Sequence, residues 1–447
     1  ATDGGGSGAA VTDVLDVLGG TGNVGLGSGA FGTGLTTGTS NVAIGDSAAD
    51  ALTSGGRNTV VGNNAGGGAT IASRNVAIGH DALVTEDVGD RTTAVGDSSL
   101  YSQNSDSNNE NTGNTAVGYA TGYFNVTGTN NTLIGNEAGL GASGNSYSDN
   151  TYVGYIAGTA NTTGSYNTGV GKDVLKANTT GASNTAVGKG ALDANTTGSD
   201  NVGLGALALS ANTTASNNVA IGRSALAANT TGTENIAVGY GAGDAITEGN
   251  YNIAIGHNAL TSDTLGSRSV AVGRHALETQ NFTTATSVYN IGIGYNAGRL
   301  ITTGTENVIM GGLAGDALTT GVRTVAIGYN AGGALTTGDS NVAIGYQALM
   351  TEDGHSNNTA VGASALQTQN AGAHAYNTAV GFEAGKATTT GVGNTFIGGL
   401  AGTANTTGAE NTAVGAYALD ANTTGSNNVA VGRQALTANT TADDNVA

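Results

Sequence analysis

The chain repeats one short motif from residue 23 to its end. The motif reads Asn-(Val/Thr/Ile)-Ala-(Val/Ile)-Gly-x-x-Ala-(Leu/Gly), followed by a polar stretch, and it begins 25 times. Of the 24 intervals between successive starts, 19 are 17 residues long. We number the positions of each copy from slot 1, the Asn, to slot 17, and in longer copies slots 16 and 17 are the two residues immediately before the next slot 1. A repeat this short and regular predicts a solenoid, in which each copy forms one coil stacked on the next.

The first nine slots are tightly constrained. Slot 2 is Val, Thr or Ile in every copy, slot 4 is aliphatic and slot 5 is Gly in all 24 complete copies. An extended segment puts slots 2 and 4 on one face and slot 3 on the other, and β-branched residues favour a strand. We expect slots 2, 4, 8 and 9 to face the coil interior, and the Gly to supply a positive φ or a close backbone approach. The structural residues of a representative copy are Asn184, Val187, Gly188, Ala191 and Leu192.

Asparagine recurs at slot 1 and in Asn-Thr-Thr stretches, one of which begins at Asn178. Stacked slot-1 asparagines would form a ladder of hydrogen-bonded amides along the coils. The alternative is that this Asn is an ordinary turn residue. The Asn-Thr-Thr stretches match the N-glycosylation acceptor pattern, but the composition of a polar turn accounts for them.

The composition fits a solenoid better than globular domains. The 447 residues include 78 Gly and no Pro, Cys or Trp, and only 10% are charged. We therefore predict an all-β fold, a parallel β-solenoid (β-roll) of about 25 coils over residues 23–447, after a lead-in segment at 1–22. Because the inward residues are few and small, one chain buries little apolar surface, which contributes about 25 cal/mol per Å². We expect three chains to associate into an elongated homotrimeric fibre.

Charge and residue pattern argue against several functions. A net charge of −19 disfavours nucleic acid as a partner, and no apolar run reaches the ~18 residues of a membrane span. The five histidines lie in different coils without metal-ligand spacing. His80 and Asp81 are neighbours in sequence and are expected to point to opposite faces. We predict no catalytic residues, no metal site and no cofactor.

The nine-residue motif at 184–192 and 411–419 resembles the head repeats of trimeric autotransporter adhesins, which use a shorter coil. With Asn-Thr-Thr-Gly between copies it is similar to the repeat shafts of bacteriophage tail-fibre-like proteins. The resemblance covers residues 23–447. It implies an elongated homotrimer that is adhesive or recognises a host, located outside the cell on a virion or bacterial surface, with a cell-surface glycan or protein as receptor.

Three functions remain open from the sequence. The first is a phage tail-fibre-like shaft involved in host attachment, and the second is a bacterial surface adhesin or extracellular filament subunit. The third is an ice-binding solenoid, since the chain is rich in Thr. Against this third function, the threonines fall in Asn-Thr-Thr turns and in a strand slot predicted to face inward, and no Thr-x-Thr row recurs.

Positions that break the regularity are the candidate surface contacts. Two long coils contain the loops Ser105–Glu110 and Phe282–Tyr289, for which neutral variation in loop length is the alternative explanation. Slot 6 often carries an aromatic residue, which suits sugar stacking, packing between fibres or simply covering the strand edge. The slot-6 candidates are Tyr119, Tyr155, Tyr240, Tyr295, Tyr329, Tyr346 and Phe382. The candidates in long coils are Asn104, Asn281, Phe282, Tyr289 and Asn370.

Two further patterns run along the chain. Three acidic triplets, ending at Asp87, Asp263 and Asp353, each lie one coil before a long coil that carries Gln-Asn, which indicates a repeating multi-coil block. The Gln residues concerned are Gln103, Gln280 and Gln369. Slot 17 carries both basic and acidic residues, which we interpret as a solvated face. Its charged residues include Arg57, Arg74, Arg91, Arg268, Arg323, Asp200, Glu234, Glu306 and Glu410.

Overall fold

The computed structural model describes residues 14–16, 22–108, 110–372 and 374–447. The chain divides into two compact units, residues 1–216 and residues 217–447. Each unit is an all-β parallel solenoid, and the described residues contain no helix. Of the lead-in segment expected at 1–22, only Val14–Asp16 and residue 22 are described.

In the first unit, strands β2 to β12 come from slots 2–4 of successive coils and pair in parallel. Each strand pairs with the same slots of the next coil, so that Thr168 lies beside Thr185 and Val170 beside Val187. Strand β1 pairs antiparallel with β2. The strands are β1 (Val14–Asp16), β2 (Val24–Leu26), β3 (Val42–Ile44), β4 (Thr59–Val61), β5 (Val76–Ile78), β6 (Thr93–Val95), β7 (Thr115–Val117), β8 (Thr132–Ile134), β9 (Thr151–Val153), β10 (Thr168–Val170), β11 (Thr185–Val187) and β12 (Val202–Leu204).

The second unit repeats this arrangement. Thirteen of its strands are slots 2–4 of successive coils, and the short strands β16 and β18 form a separate parallel pair. The strands are β13 (Val219–Ile221), β14 (Ile236–Val238), β15 (Ile253–Ile255), β16 (Gly266–Ser267), β17 (Val270–Val272), β18 (Thr286–Ser287), β19 (Ile291–Ile293), β20 (Val308–Met310), β21 (Val325–Ile327), β22 (Val342–Ile344), β23 (Thr359–Val361), β24 (Thr378–Val380), β25 (Thr395–Ile397), β26 (Thr412–Val414) and β27 (Val429–Val431).

The slot-5 glycine has both properties expected of it. Gly188 has a φ of +131°, and a Cβ built on it would lie 2.7 Å from the carbonyl oxygen of Gly205 in the next coil. A side chain at this slot would therefore strain its own backbone and push the next coil away. This requirement explains why no other residue occupies slot 5.

The prediction that slots 2 and 4 face the interior is wrong. Slot 3 points inward, and Ala186 is fully buried, whereas Val187 at slot 4 remains 40% exposed. Slots 1, 3, 8, 9 and 12 fill the interior together: slot 3 is the small Ala186 where slot 9 is Leu192, and it is the fully buried Tyr152 or Phe396 in two coils where slot 9 is Gly. The side chains of slots 2 and 4 form rows on the outer face of the strands.

A large apolar side chain in the core comes from slot 9 in some coils and from slot 12 in others. Leu192 at slot 9 is accompanied by Asn195 at slot 12, whereas Gly243 at slot 9 is accompanied by Ile246. The side chains of Leu192, Asn195 and Ile246 are all fully buried. A Cβ on Gly243 would come within 3.0 Å of Ile246 Cδ1. In these two coils one large apolar side chain is thus supplied from either slot, whereas in the coils of Tyr152 and Phe396 it comes from slot 3.

Two asparagine ladders connect the coils. At slot 1 the Nδ2 of Asn184 donates to Oδ1 of Asn167 at 3.1 Å and to the carbonyl of Gly198 at 2.9 Å. At slot 12 the Nδ2 of Asn195 donates to Oδ1 of Asn178 at 2.8 Å. The ladder predicted at slot 1 is confirmed. The Asn-Thr-Thr asparagines form the second ladder, and all of them except the part-buried Asn439 are buried, so packing and not glycosylation explains their recurrence.

Candidate functional site

The slot-6 aromatic residues lie on the surface of both units. All seven are between 51% and 57% exposed. Because successive coils pair in register, side chains at this slot fall in line within each unit. The rings of Tyr329 and Tyr346, in adjacent coils, stack with centroids 5.9 Å apart and an interplanar angle of 15°. The row therefore presents broad aromatic surfaces to the solvent.

Basic and histidine side chains extend this aromatic row. The Lys172 ammonium lies 5.3 Å from the ring centroid of Tyr155, and the Arg223 guanidinium lies 5.9 Å from that of Tyr240. The ring of His257 stacks on Tyr240 at 5.3 Å. Rings of this kind are apolar on their faces and polar at their edges, and neighbouring cations add hydrogen-bond donors. The arrangement suits a ligand with both apolar faces and hydroxyl groups, such as a sugar.

The candidates in long coils are only partly at the surface. Asn104, Asn281 and Asn370 are exposed, and so is Tyr289. Phe282 is 7% exposed, so the expectation that it is a protruding contact is wrong. Its backbone N–H donates to Asp263 Oδ1 at 3.0 Å, and this bond draws the start of the loop onto the preceding coil.

Tyr289 belongs to a different surface row from the slot-6 aromatics. It occupies slot 17, and the Arg268 guanidinium lies between its ring and that of Tyr251, at 5.8 Å and 5.3 Å from the two centroids. This Tyr-Arg-Tyr stack was not expected from the sequence. The sequence signal that could have revealed it is that slot 17 carries Tyr251, Arg268 and Tyr289 in three consecutive coils.

The acidic triplets provide buried carboxylates that fasten the long coils. Asp263 is fully buried. Its Oδ1 accepts from the N–H of Gly266 at 3.1 Å, and its Oδ2 accepts from Gln280 Nε2 at 2.6 Å. Glu86 similarly accepts from the N–H of Gly89 at 2.7 Å. Each acid occupies slot 12, where an acceptor-only group satisfies the donors that an irregular coil brings inward. The multi-coil block is therefore a structural device.

Burial also changes the acidity of one of these groups. Desolvation raises the pKa of the Asp263 carboxyl above its ordinary value, and the hydrogen bonds from Phe282 and Gln280 partly oppose this. Burial acts in this direction because it disfavours the charged form of a carboxyl group.

The histidines lie closer to carboxylates than the sequence suggested. His80 Nδ1 is 3.3 Å from Asp81 Oδ2, so the expectation that these side chains point apart is wrong. The slot-7 residue Asp81 has a φ of +53°, and this left-handed backbone turns its side chain back toward its neighbour. Alternation between faces applies only to extended segments.

One group among the described residues has the composition of a metal site. The ligand atoms of Glu352, Asp353 and His355 lie within 4.8 Å of one another. Glu352 is buried, however, and its oxygens already contact His355 Nδ1 at 2.6 Å and Gln369 Nε2 at 3.3 Å. These bonds perform the same fastening role as those of Asp263. The fastening of the coil therefore explains why these three side chains lie close together.

The outer face of the strands is a second candidate surface. In the first unit, slot 2 is Thr in six consecutive strands, β6 to β11, and slot 4 is Val or Ile. These Thr residues face outward, which removes one of the two arguments against ice binding. The other argument remains for these strands, because Thr alternates with Val or Ile and not with a second Thr.

The described part of the chain contains no helix that could cross a membrane. The chain matches no protein-family model and no curated protein, so its likeness to trimeric adhesins and phage fibres depends on the repeat motif alone.

Proposed function

We propose that this chain is the shaft of an elongated homotrimeric fibre outside the cell, of the bacteriophage tail-fibre type, which takes part in attachment to a host surface. The observation that carries this proposal is the outer face of the strands. Each coil places two β-branched or aliphatic side chains there, and slot-4 residues such as Val170 and Val187 remain 37% and 40% exposed.

The size of this face favours association. Covering the exposed part of one Val or Ile side chain contributes about 1 kcal/mol, and the contribution is repeated on every coil. Soluble monomers rarely expose a continuous apolar patch of more than a few hundred Å². Ordered rows of this kind are therefore best explained as a surface that packs against other copies of the chain.

The number of copies is proposed from the repeat motif and from symmetry. The likeness to trimeric adhesins and phage fibres implies three chains around a common axis. A closed ring of identical chains covers the same strip on each copy and leaves no unpaired interface. The acidic net charge of −19 then limits side-by-side association of the fibres.

Attachment is proposed for the surface that this assembly leaves exposed. Slot 6 follows the strand across the Gly turn, so the aromatic row lies beside the outer strip and not within it. Tyr329 and Tyr346 offer stacked rings with polar edges, which suit the faces and hydroxyl groups of a cell-surface glycan.

Three measurements test the proposal and its alternatives. Sedimentation equilibrium of the full chain should give three times the monomer mass of 43.1 kDa, and a monomer at micromolar concentration would contradict it. Immunogold electron microscopy should then label phage tails. Labelling of the bacterial surface would instead support the adhesin or filament alternative, and thermal hysteresis in a freezing assay would support ice binding.

A further inference from the structure

Three arginines occupy slot 17 of consecutive coils in the first unit. Arg57, Arg74 and Arg91 have φ values of 64°, 62° and 61°, so the same left-handed turn directs each side chain outward. The N–H of Arg74 donates to Gly56 O at 3.0 Å and that of Arg91 to Ser73 O at 3.1 Å. These bonds keep the arginines one coil apart, about 4.8 Å. A chain with only 13 Lys and Arg residues thus places three of them in a single row.

A groove lies between the first two of these arginines. It has a volume of about 240 Å³ and is lined by Thr39, Gly56, Ser73, Arg57 and Arg74. Slot 16 supplies its floor. Gly56 has no side chain to fill the space between Thr39 and Ser73, and a Cβ on it would lie 3.0 Å from the carbonyl oxygen of Thr39. The glycine therefore keeps open a space between two guanidinium groups.

The positive charge in this groove is only partly neutralised. Arg74 Nη1 lies 3.3 Å from Asp90 Oδ2, and the same carboxylate accepts from the N–H of Ser73 at 2.7 Å. Asp90 is buried and lies at one end of the row. Among the described residues, no carboxylate lies within ion-pair distance of Arg57 or Arg91. Like charges one coil apart repel each other, and an anion between them relieves that repulsion.

We propose that the groove between Arg57 and Arg74 binds a sulfate or phosphate group. Planar guanidinium groups bind such oxyanions through paired N–H donors, and two of them on adjacent coils can approach one group from opposite sides. Distant carboxylates oppose binding weakly, since charges are screened beyond about 8 Å at physiological ionic strength. The site does not depend on the fibre function. Combined with that function, it names the receptor class as a sulfated or phosphorylated glycan.

The test is a titration of the full chain at low ionic strength. The probes are inorganic sulfate, inorganic phosphate, a sulfated trisaccharide and the same trisaccharide without sulfate. The sulfated sugar should bind and the uncharged one should not, and the inorganic ions should compete with it. Arg57→Asn and Arg74→Asn should each weaken binding about two- to five-fold. Asn is suitable because the chain itself has it at slot 17, in Asn130 and Asn427.

Arg323→Asn is the matched control. Arg323 also lies at slot 17 with a positive φ, but the neighbouring coils carry Glu306 and Ser340 there. Binding that is unchanged in Arg57→Asn, or reduced equally by Arg323→Asn, would overturn the proposal, as would absence of binding to the wild type. Arg57→Asn is the more decisive variant because Arg57 supports no ion pair among the described residues. Competition by inorganic phosphate alone, without sulfate, would assign the site to phosphorylated ligands. A monomeric mass together with unchanged anion binding would contradict the proposed fibre but not the proposed anion site.

Discussion

Asn184 Oδ1 accepts both the backbone N–H and the side-chain Nδ2–H of Asn201, at 3.1 Å and 3.2 Å. The two residues occupy slot 1 of adjacent coils and both are buried. One side chain thus joins its own coil to the coils on either side, because Asn184 also donates to Asn167. The ladder holds successive coils together, a role that apolar packing has in a larger core.

Replacing Asn184 with Ala should destabilise the surrounding coils by about 2–4 kcal/mol, since buried amide and carbonyl groups lose their partner at several points. Hydrogen exchange measured across residues 167–201 should show faster exchange there. Asn184→Thr is the control and should cost less. Thr324 already occupies slot 1 and still donates to the carbonyl of Gly338 at 3.3 Å. Equal protection in the Ala variant and the wild type would contradict a structural role for the ladder.

The exchange of volume between slots 9 and 12 predicts a compensating pair of substitutions. Gly243→Leu should overpack the core against Ile246 and cost about 1–3 kcal/mol, and Ile246→Asn should cost about 2–5 kcal/mol. Together they recreate the Leu/Asn combination of Leu192 and Asn195, so the double variant should be at least about 1 kcal/mol more stable than the sum of the two predicts. Chemical unfolding measures this difference.

A distant pair controls for that cycle. Gly332→Leu overpacks a different coil, where a Cβ on Gly332 would lie 2.8 Å from Leu335 Cδ1. Combined with Ile246→Asn, it should be additive, because the two sites share no partner. Additivity in the Gly243 and Ile246 pair as well would refute the idea that the two slots supply one side chain.

The sequence predicted the solenoid but not which strand face is buried. Period-two alternation separates slot 3 from slots 2 and 4, yet both faces of this strand are apolar, and alternation alone does not choose between them. Which face is buried depends on how the rest of the coil closes, since the buried slot 3 takes residues as different as Ala186 and Tyr152. Ala186 lies inside, so Val187 lies outside. Phe282 was misplaced for a related reason, since its burial depends on a bond to Asp263 in another coil.

The raised pKa of Asp263 predicts how one coil responds to pH. The proton binds more tightly in the folded than in the unfolded chain, so the stabilising contribution of this group is present at low pH and is lost as pH rises through its folded-state pKa. Relative to Asp263→Asn, the wild type should therefore gain melting temperature as the pH falls from about 7 to about 4. Asp200→Asn removes an exposed carboxylate and controls for net charge. A difference between wild type and Asp263→Asn that is constant with pH would contradict the assignment.

The aromatic row should contribute to glycan binding without contributing to stability. Tyr329→Ala with Tyr346→Ala removes two stacked, half-exposed rings, and exposed substitutions usually change stability by less than about 0.5 kcal/mol. Binding to a host-cell glycan array should fall, while the melting temperature stays within a degree or two. Tyr166→Ala is the control, since Tyr166 is 66% exposed at slot 17 and outside the row. Equal losses from both variants would show that the row has no special part in recognition.

The outer face of β10 and β11 offers the sharpest test of the assembly. Replacing Val170 and Val187 with Lys should convert the proposed trimer to monomers, because packing between chains would bury two charges against apolar neighbours. In a single chain these side chains point outward, so each coil should stay folded with a cost of no more than about 1 kcal/mol in strand preference per position. Thr180→Lys with Thr197→Lys adds the same charge at exposed slot-14 positions of the same two coils and should leave the mass unchanged. If both pairs of variants sediment like the wild type, the outer rows are not the interface between chains.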